Sequence, residues 1–345
     1  MQFNPNSNPP LTSLPLSVTP KESRPLLVVG PTGVGKSTAA LALAEMLAPH
    51  ISCEIIGADA FQVYRELPIL TAQPSLAERT HLPHHLIGTV PVSESYDVFR
   101  YHREAQAACA DCLIRNQLPI LVGGTGLYIR ALLEGGLAPT PPPNPTLRAK
   151  LEALPLEQLV SQLKTKDPAG AERIDLQNPR RVLRALEIVL LSDKPLQSFW
   201  NRPQSHNSPH PTVKPPIGVF LSRDRTELHT RIQNHIDSQF ARGVIDEVRA
   251  LTSLPLSRTA QQTLGLSLIQ SYLSGAISLA TCQERMLYAT RQYAKRQLTW
   301  FRRQTTLPLL DITHASNPTT VAKSILAHLT QTRHTNPHGT RTENA

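Results

Sequence analysis

The feature that most constrains the fold of this 345-residue chain is one glycine-rich stretch, Gly30-Pro31-Thr32-Gly33-Val34-Gly35-Lys36-Ser37. It matches the pattern G-x-x-x-x-G-K-[ST] and lies between the apolar run 25–29 and the Ala- and Leu-rich segment 37–47. A strand, a glycine loop and a helix in this order form a phosphate-binding loop, whose backbone N–H groups point inward. Lys36 supplies a cation, and Ser37 supplies a hydroxyl for Mg²⁺ at a helix N-terminus. The pattern predicts a bound diphosphate or triphosphate, and it leaves open whether the phosphate is transferred, hydrolysed or released as a leaving group.

Two further apolar runs, 54–58 and 119–122, are predicted to be parallel core strands, because helical segments separate them. The first run ends at Asp59, and the second ends at Gly123-Gly124-Thr125-Gly126. Ligands of open α/β sheets bind at the carboxyl ends of the strands, so these residues are expected to converge on the phosphate loop. The sequence thus predicts an α/β fold, a P-loop NTPase-like parallel sheet flanked by helices.

A proline-dense segment, 138–145, interrupts this pattern, and a second segment rich in Pro, His and Asn follows at 201–216. The sequence between them is helical in character, and an apolar run at 217–221 predicts a returning strand. Long helices are predicted at 225–251 and 278–303. We therefore expect an all-helical insertion domain at 139–212, a core formed by 24–138 and 213–330, and disordered tails at 1–23 and 331–345.

The formal net charge of +9 favours a polyanionic partner, either a nucleic acid or a membrane surface. No apolar run approaches the roughly 20 residues of a membrane-spanning helix, and residues 1–23 lack the pattern of a signal peptide. Four cysteines in a chain of this length form no disulfide framework, so a reducing cytoplasm is the expected compartment. Nothing in the sequence demands a protein partner, and a monomer is expected.

Two small clusters have spacings that metal sites also use. Cys109 and Cys112 form a C-x-x-C within a predicted helix, without a second pair or a neighbouring His, and are expected to be packed small residues. His81, His84 and His85 are flanked by prolines, and in the absence of a cysteine they are expected to be structural or surface histidines.

The residues at the strand ends have several possible roles. Asp59 could be a Mg²⁺-associated carboxylate, a helix N-cap or a general base that faces the phosphate loop, and its spacing alone does not separate these roles. Thr125 could be the N-cap of the following helix, or it could offer a directed hydroxyl to a ligand that approaches the paired glycines.

The strongest nucleic-acid pattern is the basic segment 285–303, which has no acid between Glu284 and Asp311. On a helix, the face predicted to pack on the core carries Leu287, Ala294, Leu298 and Phe301. Another face carries Tyr288, Arg291, Lys295 and Arg302. This second face is either a solvated basic surface or a surface for phosphate contacts and base stacking. In the insertion, Arg181 and Arg184 are one helical turn apart and can face the same RNA strand.

Taken together, these segments resemble the tRNA dimethylallyltransferases, also called tRNA isopentenyltransferases, from about residue 25 to residue 303. The resemblance rests on GPTGVGKS (30–37), ADAFQVY (58–64), PHHL (83–86), ILVGGTGLYIRALLEG (120–135), NPRRVLRALE (178–187), RGVIDEV (242–248) and TRQYAKRQLTWFRR (290–303). It implies an enzyme that transfers a dimethylallyl group from dimethylallyl diphosphate to N6 of adenosine 37, beside the anticodon, in tRNAs that read codons starting with U. The products would be N6-(dimethylallyl)adenosine and diphosphate.

The same resemblance implies roles for the site residues. The phosphate loop would hold the diphosphate leaving group with Mg²⁺, bound through Ser37, and Lys36 and the loop amides would stabilise its developing charge. Asp59 would accept the N6 proton, Thr125 would position the adenine amine or the diphosphate, and Arg291 would join them as a catalytic residue. An adenine that has flipped out of its stack would be held by Gln62. The tRNA anticodon stem-loop would contact Asp59, Ala60, Phe61, Gln62, Thr125, Arg148, Arg180, Arg181, Arg184, Arg291, Lys295 and Arg296.

The chain departs from the family pattern at four places. The family usually has Ser where Ala60 stands, Lys at Gln73 and Asp at Gly88, and it has G-Y-K-E where this chain has Gly265-Leu266-Ser267-Leu268. Because the catalytic residues named above are present, the chemistry is expected to survive. The affinity and selectivity for tRNA are expected to change.

Three other functions stay open on the sequence. A phosphate-loop kinase or NTPase would use Asp59 on Mg²⁺, although the chain has no N-K-x-D motif for guanine and no plain lid of clustered arginines beyond the insertion. An adenylate isopentenyltransferase would perform the same transfer on a free nucleotide, without a need for the insertion and the basic C-terminal helix. A non-catalytic RNA-binding protein that retains a phosphate loop is the third.

Overall fold

The computed structural model describes residues 24–138, 140–200, 216–315 and 317–331. The two tails predicted to be disordered lie outside these residues, apart from Gln331 at the end of the last helix. Most of the second proline-rich segment also lies outside them.

Six parallel strands form one sheet within the described residues, in the order β3-β2-β4-β1-β5-β6. They are β1 (Leu26–Val29), β2 (Cys53–Ala58), β3 (His84–His85), β4 (Leu118–Gly123), β5 (Ile217–Ser222) and β6 (Leu309–Asp311). Every residue of β1, β2 and β4 is buried, as expected for a parallel sheet that helices cover on both faces. The four predicted strands and the α/β class are confirmed, and the short edge strands β3 and β6 have no counterpart in the prediction.

The register of the sheet brings the predicted site residues together. Gly123, the last residue of β4, is the register partner of both Val29 and Ala58, the last residues of the two strands beside it. The loops that follow these three strands therefore begin side by side, as the rule for the carboxyl ends of parallel strands predicts.

Nine helices of the described residues surround this sheet: α1 (Lys36–Leu47), α2 (Leu76–His81), α3 (Val98–Ile114), α4 (Gly126–Leu133), α10 (Arg225–Ala241), α11 (Val244–Ala250), α12 (Leu266–Leu273), α13 (Leu279–Gln304) and α14 (Pro318–Gln331). The predicted helix at 225–251 is divided into α10 and α11, because Gly243 between them has a φ of 88°. Two 3₁₀ turns, Leu251–Ser253 and Ala260–Gln262, follow α11. Across the described part of the chain, no helix is both long enough and apolar enough to cross a bilayer.

The described residues of 137–209 form a second compact unit with its own hydrophobic core. Its helices are α5 (Pro145–Glu152), α6 (Leu156–Lys166), α7 (Pro168–Glu172), α8 (Pro179–Ser192) and α9 (Gln197–Trp200). Apolar side chains at helical spacing on α6 and α8 fill the core, among them Leu159, Leu163, Val182 and Leu186.

A fully buried acid, Glu187, organises the polar contacts of this second unit. One of its oxygens accepts from the Asn144 amide at 3.0 Å, and the other accepts from Arg184 Nη1 at 2.7 Å and from Arg148. Burial raises the pKa of Glu187, but the hydrogen bonds from Arg184 and Arg148 outweigh burial and lower it. Arg148 and Arg184 therefore form ion pairs within this unit. The sequence analysis does not predict this structural role.

A second buried acid, Glu54 on β2, holds the edge of the sheet to α3. Arg115 donates to its two oxygens at 2.5 and 2.8 Å, His85 Nε2 lies 2.6 Å from Oε2, and the Cys112 thiol donates at 3.2 Å. The hydrogen bond from Arg115 is the main cause that lowers the pKa of Glu54 to about 2. Glu54, His85 and Cys112 are close enough together to ligate a metal ion, but both carboxylate oxygens already accept from Arg115.

Cys109 and Cys112 are buried free thiols on α3, as predicted. The expectation that they have no neighbouring histidine is wrong, because His85 and Cys112 meet at Glu54. Nδ1 of His84 lies 2.6 Å from the Leu82 carbonyl oxygen, which is a structural contact.

Replacing Glu54 with Gln is expected to lower the free energy of unfolding at pH 7 by roughly 1.5–3 kcal/mol, the range for a hydrogen bond to a charged group. Arg115 loses the charge of Glu54 but keeps its ion pair with Asp111. The folded-state pKa lies below the reference value of 4.5, so this stabilisation is complete above pH 4.5 and is lost as the pH falls towards 2. Urea unfolding from pH 7 to pH 3 should show a difference between wild type and variant that shrinks on acidification.

The matched control for this measurement is Glu45→Gln, at an exposed position 3.6 Å from the exposed His81. Its effect should stay within about 0.5 kcal/mol. A loss of stability in Glu54→Gln that is the same at every pH would contradict the ion-pair explanation.

Candidate active site

The phosphate loop is held in shape by α10 and by the residues that precede it. Gly33 has a φ of 81°, and a Cβ there would lie 2.8 Å from Ile232 Cγ1, so this position needs glycine for both conformation and space. Arg231 Nε donates to the Gly33 carbonyl at 2.9 Å, and Arg223 Nε donates to the Val34 carbonyl at 3.0 Å. The loop then enters α1, whose first N–H groups have no acceptor within the helix. Such an arrangement binds anions.

A cavity of about 500 Å³ opens beside the loop. The phosphate loop contributes Thr32, Gly33, Gly35, Lys36 and Ser37 to its wall, and the segment after β2 contributes Asp59, Phe61 and Gln62. From the opposite side, α10 and α13 contribute Arg231, Asn234, His235, Thr290 and Tyr293. The other residues of the loop are buried and do not line the cavity: Gly30, Pro31 and Val34.

Lys36 is half-buried, and its Nζ donates to the Pro31 carbonyl at 2.9 Å. Burial lowers the pKa of this ammonium group to about 8, and the negative charge of Asp59 opposes that shift. Because burial destabilises the charge on Lys36, an anion placed beside it would restore the charged form. The loop is therefore suited to a multiply charged phosphate.

Asp59 lies on the cavity wall with one oxygen committed to the backbone. Its Oδ1 accepts from the Phe61 amide at 2.9 Å and from the Gln62 amide at 3.4 Å, which leaves Oδ2 for another partner. The residues that follow form a turn and not a helix, so the helix N-cap role proposed for Asp59 is wrong, although its carboxylate does stabilise that turn. Burial and then the charge of Asp59 raise the pKa of Tyr293, on the other side of the cavity, above its usual range.

Thr125 holds the backbone of the residue that follows Asp59. It occupies the N-cap position of α4, but its hydroxyl does not cap that helix. Instead Thr125 Oγ1 accepts from the Ala60 amide at 3.0 Å. This hydrogen bond joins the loop after β4 to the residue next to Asp59, and Thr125 itself is not among the residues that line the cavity.

Gln297 on α13 is a site residue that the sequence analysis does not identify. Its Oε1 accepts from the Thr32 amide at 2.8 Å, and its Nε2 donates to the Gly124 carbonyl at 2.8 Å. A Cβ on Gly124 would lie 2.4 Å from that nitrogen, so glycine is required there for close approach. The available sequence signal is a polar residue three positions after Ala294 and four before Phe301, on the face predicted to pack on the core.

Three further cavity residues, Arg231, Asn234 and His235, are also absent from the sequence analysis. They lie at i, i+3 and i+4 on α10 and so share one face of that helix. Burial lowers the pKa of His235, and the charges of Arg242 and Lys36 lower it further. Polar residues at helical spacing, beginning with an arginine, are the sequence pattern that could have identified them.

The structure separates Arg291 from the catalytic residues with which it is predicted to act. On α13 it lies two positions before Tyr293, which turns it about 160° away around the helix. It lines a neighbouring depression with His229 instead of the cavity at the phosphate loop. Lys295 and Arg296 are exposed on the same helix, and the guanidinium of Arg296 lies 5.8 Å from the centre of the Tyr293 ring.

Gln62 anchors a neighbouring part of the cavity wall. Its Nε2 donates to the carbonyls of Thr71 and Ala72 at 3.1 and 3.0 Å, and Ala72 has a positive φ of 51°. Thr71 and Ala72 both line the cavity. The amide nitrogen of Gln62 is thus used within the protein, so a ligand could bind this side chain only through its Oε1.

Two departures from the family pattern, Gln73 and Gly88, lie against each other away from the cavity. Gln73 is buried, its Nε2 donates to the Tyr64 carbonyl at 2.7 Å, and its Oε1 accepts from Arg79 at 3.4 Å. A Cβ on Gly88 would lie 2.9 Å from that same Oε1. A third departure, Leu266, is buried in the hydrophobic core.

The fold and the site together define a class: an α/β protein whose phosphate loop, half-buried lysine and adjacent carboxylate line one cavity. That class includes transferases that act on diphosphates or triphosphates. Comparison with known proteins then gives the family. The chain belongs to the IPP transferase family, whose model matches residues 62–304.

Individual relatives agree with this assignment. The chain is 42% identical over 304 residues to the tRNA dimethylallyltransferase of Akkermansia muciniphila, covering 88% of this chain and 99% of that protein. It is 41% identical over 288 residues to the Thermus thermophilus enzyme of the same name, covering 82% and 90%. The structure of the Bacillus halodurans tRNA isopentenylpyrophosphate transferase matches with a TM-score of 0.61 and 30% identity over 90% of this chain and 100% of that one. A eukaryotic dimethylallyltransferase acting on tRNA matches with a TM-score of 0.73 and 26% identity over 92% and 82%.

Replacing Gln297 with Ala is expected to weaken the binding of inorganic diphosphate by roughly tenfold, because the Thr32 amide and the Gly124 carbonyl lose their shared partner. Isothermal titration calorimetry measures this loss directly. The control Gln270→Ala, at an exposed position on α12, should bind diphosphate like the wild type. Unchanged affinity in Gln297→Ala would show that this residue does not fix the loop.

Binding of inorganic diphosphate is expected to take up a proton at Lys36 near pH 8. Its pKa in the free protein is about 8, and the bound anion raises it, so affinity should fall as the pH rises from 8 to 9. Calorimetry in two buffers of different ionisation enthalpy counts the protons. The control variant Lys36→Arg stays charged over this pH range, so its proton uptake comes from the ionisation of diphosphate alone. Equal proton uptake by the wild type and by Lys36→Arg would contradict the role of Lys36.

Proposed function

We propose that this chain transfers a dimethylallyl group from dimethylallyl diphosphate to N6 of adenosine 37 in tRNAs that read codons starting with U. The observation that carries the proposal is that a phosphate loop and a carboxylate with one uncommitted oxygen line the same cavity. Membership of the IPP transferase family and the tRNA dimethylallyltransferases among its relatives support the choice of donor and acceptor.

The transfer forms one bond and breaks another. The N6 nitrogen attacks C1 of the dimethylallyl group, and the bond between C1 and the diphosphate oxygen breaks with its electron pair on the departing diphosphate. Lys36 and the loop amides stabilise the charge that develops there, and Arg231 faces the same space. Oδ2 of Asp59 accepts the proton that N6 loses.

A Mg²⁺ ion is part of the proposal, since the donors at the cavity fit it. Ser37 lines the cavity, and its hydroxyl is a hard oxygen ligand. No cluster of three acidic, histidine or cysteine ligands lies there among the described residues, so phosphate oxygens and water would complete the coordination. When bound, the ion would neutralise charge on the leaving diphosphate.

The basic surfaces provide contacts for tRNA in this proposal. Arg180 and Arg181 on α8, and Lys295 and Arg296 on α13, are exposed and suit phosphate groups of the anticodon stem-loop. Arg148 and Arg184 are instead bound to Glu187, so their role is to hold the helix that presents Arg180 and Arg181. We also place the protein in the cytoplasm, where its four buried free cysteines would stay reduced.

The proposal is tested by incubating an unmodified tRNA carrying adenosines 36 and 37 with the protein, dimethylallyl diphosphate and Mg²⁺, without ATP. Mass spectrometry of the nucleosides should show one added dimethylallyl group, and a tRNA with guanosine at position 37 should show none. Product that forms only with free adenosine monophosphate would instead assign the chain to the nucleotide-specific enzymes.

Asp59→Asn is expected to reduce turnover by about 10²–10⁴-fold, the range typical of a general base. The amide keeps the oxygen that binds the Phe61 and Gln62 amides, so tRNA affinity should change little. The matched control is Asp97→Asn, because Asp97 also binds a backbone amide (Arg100, at 2.9 Å) but lies outside the cavity wall. Single-turnover kinetics and filter binding separate the two effects, and a loss of affinity without a loss of rate would exclude the base assignment.

A further inference from the structure

A second depression, of about 380 Å³, lies between α10 and α13 next to the cavity at the phosphate loop. Asn234 lines both spaces. On α10, Arg225, His229 and Gln233 follow one another at intervals of four residues and form one wall, together with two threonine hydroxyls. Arg291 on α13 forms the other wall.

The lining of this depression is positively charged and contains no acid. Burial lowers the pKa of His229, and the charges of Arg291 and Arg225 lower it further, so the two guanidinium groups act on the same space. Two acids of α10 lie nearby. Glu227 pairs with Arg223, away from the depression, whereas Asp237 accepts from the wall residue Gln233, whose Nε2 lies 3.0 Å away.

Arg291 also presents an unmet hydrogen-bond donor. Its Nε is buried and has no hydrogen-bond partner within the described part of the chain. A buried N–H without an acceptor carries a desolvation cost, and an anion that reached this N–H from the depression would remove that cost. Among the neutral polar groups of the wall, the Thr230 hydroxyl donates to the Thr226 carbonyl and Gln233 donates to Asp237. The Asn234 amide and the Thr226 hydroxyl have the donors that phosphate oxygens need.

We propose that this depression is a second phosphate-binding site, separate from the phosphate loop and adjoining the mouth of its cavity. Its ligand is a phosphate group, held by Arg225 and Arg291. Given the proposed function, on which the identity of the ligand rests, two substrates can supply that group. One is a phosphodiester of the tRNA near the flipped adenosine, and the other is the diphosphate as it enters or leaves.

The test is the double variant Arg225→Gln/Arg291→Gln, compared with the control Arg103→Gln, which removes an exposed arginine of α3 that lines neither space. Two ligands are titrated: unmodified tRNA at several salt concentrations, and inorganic diphosphate. Thermal unfolding monitors the fold. The single variant Arg225→Gln, at an exposed position, and the charge-preserving Arg291→Lys keep the test valid if the double variant unfolds.

If tRNA supplies the phosphate, the affinity of the double variant for tRNA should fall roughly tenfold, and its affinity for diphosphate should not change. The magnitude of the slope of log K against log salt for tRNA should decrease by about 0.7–0.9 per lost contact. If diphosphate is the ligand, its affinity should fall while the salt slope for tRNA stays constant. Arg291→Lys should retain most of the wild-type binding in either case. Wild-type affinity for both ligands in Arg225→Gln and in the double variant would overturn the proposal.

These binding measurements need no turnover, so they separate the second site from the proposed function. If the wild type binds both ligands but transfers no dimethylallyl group, the proposed function is wrong. Weaker ligand binding by the arginine variants would still demonstrate the second site in that case.

Discussion

The carboxamide of Gln297 joins two glycine-rich loops that come from adjacent strands. It accepts from the Thr32 amide in the phosphate loop and donates to the Gly124 carbonyl after β4. The hydroxyl of Thr125, the next residue, then binds the Ala60 amide beside Asp59. The groups at the ends of β1, β4 and β2 are thus connected through one buried side chain of α13, and the distance between the phosphate loop and the carboxylate depends on it.

This connection places opposite charges in a poorly solvated space. Lys36 lies where burial lowers its pKa, and Asp59 faces the same cavity with one oxygen already bound to the backbone. In the proposed reaction, Lys36 would stabilise the leaving diphosphate, and the second oxygen of Asp59 would accept a proton. Groups that the fold holds in place in this way provide the preorganisation that electrostatic catalysis requires.

Local pattern was sufficient to predict the phosphate loop, four core strands and the residues at their ends, since a buried parallel strand and a glycine loop each have a strong sequence pattern. The sequence did not predict Gln297, because its partners are 265 and 173 positions away and a glutamine on a core-facing helix position has no distinctive pattern. Edge strands of two or three residues are too short for periodicity to detect. The sequence also did not predict that Arg291 lines the neighbouring depression. Its helix has several faces that meet different partners, and charge alone does not say which face meets which.

Three of the four departures from the family pattern, Gln73, Gly88 and Leu266, lie outside the wall of the cavity at the phosphate loop. The family's usual Lys and Asp at positions 73 and 88 are opposite charges at two sites that adjoin here. In this chain Gln73 donates to the Tyr64 carbonyl instead, and Gly88 has no side chain. Loss of both members of such a pair avoids the uncompensated buried charge that a single loss would leave. Leu266 fills core space in place of an aromatic residue. None of the three lines the cavity with Lys36 and Asp59, so the catalytic geometry does not depend on them.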